Sequence, residues 1–579
     1  MADPHTALAM SETARSQTET TQEAMDRALS TVAAKKDEFV RLPIADKIAL
    51  LKSCMVTVKA SVPTWIREAC RAKGFDESAP VAGEEWLAGP MLVMRNLRLF
   101  VETLQAILRA GTPPLGTGVH RRPDGRLVIE VFPTGLLDKL LFAGFTGHVV
   151  MEKGLTEDDA REKQASFYKR KDPTGGLTLT LGAGNVSSIG PMDALYKMFV
   201  EGRVSLLKMN PVNEYLGPVF EQAFQPLIAR DYLRVVYGGA DVGAYLCRHP
   251  LVDDIHITGS DRTHDAIVWG PPGPERDRRK AANDPLLKKD ISSELGNVSP
   301  VMIVPGRFTD KELAFTARNV TSQITNNASF NCNAAKMLVV AKGWEQKDAF
   351  LALVNGCLAQ VPPRRAYYPG AADRYAKLTE GKAAERIGAA KEGELAWTVV
   401  SGLDAAAEET QFTTEPFCSI VSVVELDASE PIAFLQAATV FANDKLWGTL
   451  NAEIIVDPRT ERRYEVGAAL DQATMALRYG TVAINHWPAL GYGFVSTPWG
   501  GHPSATLENI QSGRGFVHNT FMLEGIEKSV VRGPLVVRPK PPWFFDNARA
   551  HEIGAKLVDL EMSHNPFSLP GIIVKAMKG

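Results

Sequence analysis

LTLTLGAGN (177–185), VSLLKM (204–209), LRVVYGG (233–239) and DDIHITGS (253–260) are four apolar runs of strand length, each closing on small or polar residues. The segments between them, around 191–201, around 216–229 and after 239, read as helices. Strand alternating with helix specifies a parallel, doubly wound sheet, and ligands sit beyond the carboxyl ends of such strands. The loops at 182–185, 208–213 and 258–260 are therefore candidate ligand loops. No GxGxxG is present, and GAGN alone is a weak sign. A second alternation from SPVMIV (299–304) to about 484 predicts another α/β domain.

Outward from this centre, residues 22 to 60 have the spacing of two amphipathic helices broken at LPIADK, and a further helix is expected over 87–110. GTPPLGTG (111–118) is turn chemistry and a candidate domain edge. RLVIEVFP (126–133) reads as a strand, and 119–172 as an excursion from the main domain. WGPPGPERDRRKAANDP (269–285) is expected to be a solvated surface insertion, with phosphate contact the minority reading. GPLVVRPKPPWFF and NPFSLPGIIVKAMKG, near the end, are too rich in proline and apolar residues for a simple linker and are expected to pack on something. The first twenty or so residues are polar, lack the apolar run of a secretory signal and read as a flexible arm.

Composition narrows the function classes. The 579 residues exceed one core, so several domains are expected. A net charge of -3 gives no field that would draw the chain to nucleic acid, and no apolar run is long enough to span a bilayer. Six cysteines, scattered and without CxxC spacing, argue against a disulfide framework or a metal site and for a reducing, cytoplasmic compartment. Small-molecule chemistry fits best.

Taken singly, Cys332 would be an inert buried thiol. Its setting, NNASFNCNAAKMLVV, follows the strand end SELGNVSP, whose Glu294 fits a general base and, taken alone, an ion-pair partner equally. These segments, in this order with GNVSSIGP, LLKMNP, ITGS, TEPF, ANDKLWG, GTVAIN and PWGG, resemble the aldehyde dehydrogenase superfamily from about residue 25 to about 520. The resemblance implies that Cys332 is the nucleophile, Asn185 the oxyanion donor and Glu294 the base that activates water. It implies NAD or NADP as cofactor, held by Lys208, Asn210, Thr258, Gly259, Ser260, Leu295, Glu415 and Phe417. Phe330, Trp487, Tyr492 and Phe494 would line an aromatic substrate wall, which suggests a bulky apolar or aromatic aldehyde.

The implied architecture is two doubly wound parallel-sheet domains plus a β oligomerisation flap. A dinucleotide-binding domain would take 1–118 and 173–293, and a catalytic domain 294–480. Residues 119–172 and 515–579 would form the flap and tail. A homodimer or homotetramer would pair sheet edges. Three departures from the family pattern stand out. Ser329 and Phe330 replace the Gly and Gln of the usual nucleophile loop, Pro211 stands where NAD-preferring members hold a carboxylate, and Arg276, Arg278, Arg279 and Lys280 form a basic insertion. The first and last keep coenzyme A, rather than water, open as acyl acceptor. A catalytically silent relative is the third reading.

Overall fold

The computed structural model describes residues 17–579, so the start of the polar arm and of the first expected domain lies outside the described residues. Two sheets carry the chain. The smaller has five strands, all parallel, in the order Leu233–Val236, Arg203–Lys208, Gly176–Leu181, Asp254–Gly259 and Asp290–Leu295. Gly176–Leu181 is buried at every position, as a central parallel strand covered on both faces must be. Its covering helices include Gln22–Ala33, Ile44–Lys73 and Pro90–Ala110 on the N-terminal side of the chain, and Ile189–Phe199 from its own crossover. Proline at its first turn and left-handed Gly111 after its last mark the ends of Pro90–Ala110.

The second sheet has eleven strands and differs from expectation. Its parallel centre runs through Thr481–Ile484, Asn451–Ile455, Pro300–Ile303, Met337–Ala341, Ile420–Leu426 and Trp397–Leu403. The excursion supplies Gly118–Arg121, Leu127–Phe132 and Thr146–Met151, an antiparallel set that joins this same sheet. Strand Ile526–Arg532 makes the joint, pairing antiparallel with Thr146–Met151 on one side and parallel with Thr481–Ile484 on the other. Backbone groups on an edge need partners, and this chain provides them itself.

After 532 the tail leaves the sheet. Helix Ala550–Ser563 lies against Gly83–Ala88 and Pro90–Ala110, so the tail packs on the N-terminal helices and not on the flap strands. Arg95, fully buried, ties these parts together: it donates twice to Asp138 of the excursion at 2.9 Å, to Glu561 of the tail at 2.8 Å and to the Phe494 carbonyl at 3.0 Å. No helix among the described residues is long and apolar enough to cross a membrane.

Candidate active site

Helix Asp310–Thr325 starts on a capping box of Thr309 and Glu312 and ends where the nucleophile loop begins. Asn327, Ala328 and Ser329 all hold positive φ, at 52°, 54° and 66°. Such backbone costs a side-chain-bearing residue roughly 1–2 kcal/mol. It persists because Asn327 is over-determined: its amide donates to the carbonyls of Asn185 and Phe330, both at 2.9 Å, and its oxygen accepts from Lys73 and from the Tyr367 hydroxyl, both at 2.9 Å. Lys73 is itself paired with Glu85 at 2.6 Å, in the interior. The loop thus presents Cys332, half-buried while the other five cysteines are buried, at a junction of two cavities.

The first cavity, about 1080 Å³, runs from Lys208, Asn210 and Pro211 past Thr258, Gly259 and Ser260 to Glu294, Glu415, Phe417 and Cys332. Ser260 caps helix Asp261–Trp269, whose free N-terminal N–H groups favour an anion at this wall. Burial pushes the Lys208 ammonium down to about 8, with Glu214 opposing. Asn210 Oδ1 accepts from the Val212 N–H at 3.0 Å, and Asn213 donates to the Ala183 carbonyl at 2.9 Å, so both shape the turn around Pro211. No carboxylate replaces the one absent at 211, although Asp241 lines the same cavity. Cationic side chains sequence reasoning passed over, Arg248, Arg262, Lys288 and Lys289, lie on this wall.

Glu294 is 2% exposed and its Oε1 has no hydrogen-bond partner. Burial pushes its carboxyl up to about 8, and the negative charge of Asp193 adds to this, while the Cys332 thiol and Trp499 indole beside it work the other way. Burial, and then Glu294, hold the Cys332 thiol far above its usual range. The two cannot both be ionised cheaply, so Glu294 and Cys332 share one site under one electrostatic constraint. The Asn185 amide donates to the Phe330 carbonyl at 3.1 Å, and an amide has a second N–H to offer the cavity it lines. Glu415 is ion-paired with fully buried Lys336, which also donates to the Cys332 carbonyl at 3.2 Å. Lys336, four residues past the nucleophile, was legible only as part of a strand start.

The second cavity, about 640 Å³, opens on the other side of Cys332. Trp487, Tyr492 and Phe494 line it: Trp487 donates to the Asn333 carbonyl at 2.6 Å, Tyr492 bonds Ser188 at 2.9 Å, and Phe494 stacks on Phe132 with centroids 3.6 Å apart. Two of the expected residues lie elsewhere. Phe330 is buried behind the loop, packed against Tyr367, Tyr368 and Phe417, because left-handed backbone at 327–329 turns its side chain into the core. Leu295 is sealed, its N–H taken by the Ser512 carbonyl at 2.9 Å, so only Glu294 and Gly296 of that strand end reach the first cavity. The opposite wall comes from the tail, with Trp543, Phe544, Phe545 and Leu557, none of which carries a sequence motif.

The basic insertion forms helix Pro274–Ala281 and spends its charge locally: Arg278 and Arg279 pair with Glu275, Lys280 with Asp265, and Arg276 donates to the Gly270 carbonyl. Among the described residues no group of three or more His, Cys, Asp or Glu side chains is arranged to hold a metal ion.

A half-buried cysteine thus stands between a cleft of about 1080 Å³ and an aromatic-lined channel of about 640 Å³. Residues 141–365 match the Aldehyde dehydrogenase family. Solved structures of similar fold include an NADP-dependent glyceraldehyde-3-phosphate dehydrogenase from Bacillus halodurans C-125 complexed with NADP, at 17% identity over 88% of this chain and 91% of that one, TM-score 0.56. An NAD-dependent aldehyde dehydrogenase from Sinorhizobium meliloti is 18% identical over 90% and 89%, TM-score 0.56. A salicylaldehyde dehydrogenase from Pseudomonas putida G7, complexed with salicylaldehyde, is 14% identical over 90% and 92%, TM-score 0.57. The family match covers residues 141–365, and these solved structures share the fold over most of the chain.

Proposed function

We propose that the protein oxidises a bulky apolar or aromatic aldehyde to the carboxylic acid with NAD or NADP, and that Cys332 carries the acyl group. The position of Cys332 on the wall common to both cavities carries this reading. The first cavity suits a dinucleotide in length, in its Lys208 end and in its helix N-terminus, with Lys208, Asn210, Thr258, Gly259, Ser260, Glu415 and Phe417 as the holding residues. When bound, NAD(P) supplies the electron acceptor. Cys332 attacks the aldehyde carbonyl, and the Asn185 amide with the Cys332 backbone N–H holds the developing oxyanion. Oxidation leaves a thioester on Cys332. Glu294 then takes a proton from the water that attacks it, releasing the acid and the thiolate.

The aromatic channel walls support a bulky apolar substrate, and the self-neutralised helix Pro274–Ala281 removes one of the features that favoured coenzyme A. The homodimer or homotetramer is kept as a proposal with a changed interface. Strand Ile526–Arg532 is already paired on both sides, which leaves Gly118–Arg121 as the outer flap edge. Mass photometry tests it. A cytoplasmic setting is likewise kept, on six free thiols.

The decisive experiment is product analysis over a panel of aldehydes, with NAD and NADP, with and without coenzyme A. Cys332→Ala should abolish turnover and keep dinucleotide binding. Glu294→Gln should release a burst of reduced dinucleotide of up to one per site and then stall, with the acyl group on Cys332 by mass spectrometry. A coenzyme A thioester as product would replace this reading with the acylating one.

A further inference from the structure

Behind Glu294 the small sheet carries polar side chains that the chemistry above leaves unused. Strands Asp254–Gly259 and Asp290–Leu295 run parallel with His256 opposite Ser292 and Thr258 opposite Glu294. Side chains alternate along a strand, so these four share one face as a two-by-two block. Helix Ile189–Phe199 lays Asp193 over it. The Thr258 hydroxyl donates to Asp193 Oδ2 at 2.8 Å, His256 Nε2 is 3.4 Å from the same oxygen, and His256 Nδ1 is 2.9 Å from Ser292 Oγ. Asp193 and His256 are 1% and 2% exposed, whereas Ser292 is only half-buried.

This arrangement answers a problem the base faces. Each hydrolysis leaves a proton on Glu294, a carboxyl only 2% exposed that must be ionised again before the next turnover. Of its other neighbours, Cys332 is the nucleophile, the Trp499 indole can only donate, and Glu415 is engaged with Lys336. We propose that Asp193 and His256 carry the proton from Glu294 to Ser292 and the solvent. The inference rests on Glu294 being the base. As water attacks the thioester, its O–H bond breaks and the proton goes to Glu294. It passes by way of the Thr258 hydroxyl, which stands opposite Glu294 and donates to Asp193, to the Asp193 carboxylate and then to His256 Nε2, while the Nδ1 proton leaves through the Ser292 hydroxyl; a flip of the imidazole ring then restores the starting tautomer. Thr258 holds Asp193 in place. The groups facing this line are Cys332 and Glu415 towards Glu294, and His518 and Tyr492 towards Asp193.

Asp193→Asn and His256→Gln, made in the full chain, test it by the burst of reduced dinucleotide, the steady rate across pH, and the solvent isotope effect. The burst should stay near wild type while the steady rate falls at least about tenfold, with a larger isotope effect. In Asp193→Asn the acid limb should also move to lower pH, because the charge that disfavours ionised Glu294 is gone. Ser292→Ala, nearer the surface, guards against misfolding: it should slow the steady rate, and raised buffer concentration should restore it. Burst and steady rate falling together, or a wild-type steady rate in Asp193→Asn and His256→Gln while Glu294→Gln stalls, would overturn the relay alone. Glu294→Gln turning over freely would remove the base and the relay with it.

Discussion

Ser329 holds a φ of 66°, a backbone conformation that favours glycine. The loop before Cys332 keeps three left-handed residues in place through the bonds of Asn327, so Asn327 is where the nucleophile's position is decided. Asn327→Ala takes one acceptor from Lys73, which keeps Glu85, and one from Tyr367, which keeps the Asn185 carbonyl, and each lost hydrogen bond costs about 0.5–1.5 kcal/mol. A fall in kcat of at least about a hundredfold is expected with dinucleotide affinity kept, read by steady-state kinetics and calorimetry. Lys208 makes a second residue-scale prediction. A cation pushed down to about 8 loses its charge as pH rises from 7 to 9. NADP affinity should therefore fall over that range and NAD affinity less, by titration calorimetry, since only NADP brings a 2′-phosphate. An equal response would place Lys208 away from that phosphate.

At the scale of elements, the alternation of strand and helix through 177–260 and the strings ELGN, FNCNA and TEPF were enough to read the five-stranded sheet and to bring Cys332, Glu294 and Asn185 to one place. Local pattern could not show what long-range contacts decide. Phe330 follows a backbone turn that propensity does not encode, and Asp193 reads as an ordinary polar residue of helix Ile189–Phe199 until strand register sets it over Thr258. The channel wall at Trp543–Phe545 carries no motif at all; Arg95 holds the parts around it through partners 43 and 466 positions away. Arg95→Met should strand Asp138 as a buried carboxylate without its cation, while Glu561 keeps Arg98, a loss of about 3–5 kcal/mol. Thermal melting should show it, and KM for bulky aldehydes should rise, because the Phe494 carbonyl loses its donor.

Across the whole molecule, buried carboxylates tie stability to pH. Glu453, in strand Asn451–Ile455 at the centre of the large sheet, is fully buried, neither oxygen has a hydrogen-bond partner, and burial pushes it up to about 8. The unfolded chain ionises it near 4.5, so between these values the folded state holds a proton that the unfolded state has lost. Stability from this group is thus complete at low pH and is lost as pH rises through 8. Glu453→Gln should melt close to wild type near pH 4 and increasingly above it as pH rises to 8, where the difference levels off. A constant difference at every pH would mean that Glu453 is not protonated in the fold.

The joint at Ile526–Arg532 also sets an order of events during synthesis. The excursion strands at 118–151 emerge from the ribosome long before the strand Ile526–Arg532 that docks Thr146–Met151 onto the large sheet. Until then a three-stranded ribbon, apolar on its inner face through Leu127, Ile129 and Val149, waits beside a sheet whose edge at Thr481–Ile484 is open. Nascent chains halted before 526 would therefore carry two complementary sticky edges, and it is these chains, more than the finished protein, that need shelter from one another.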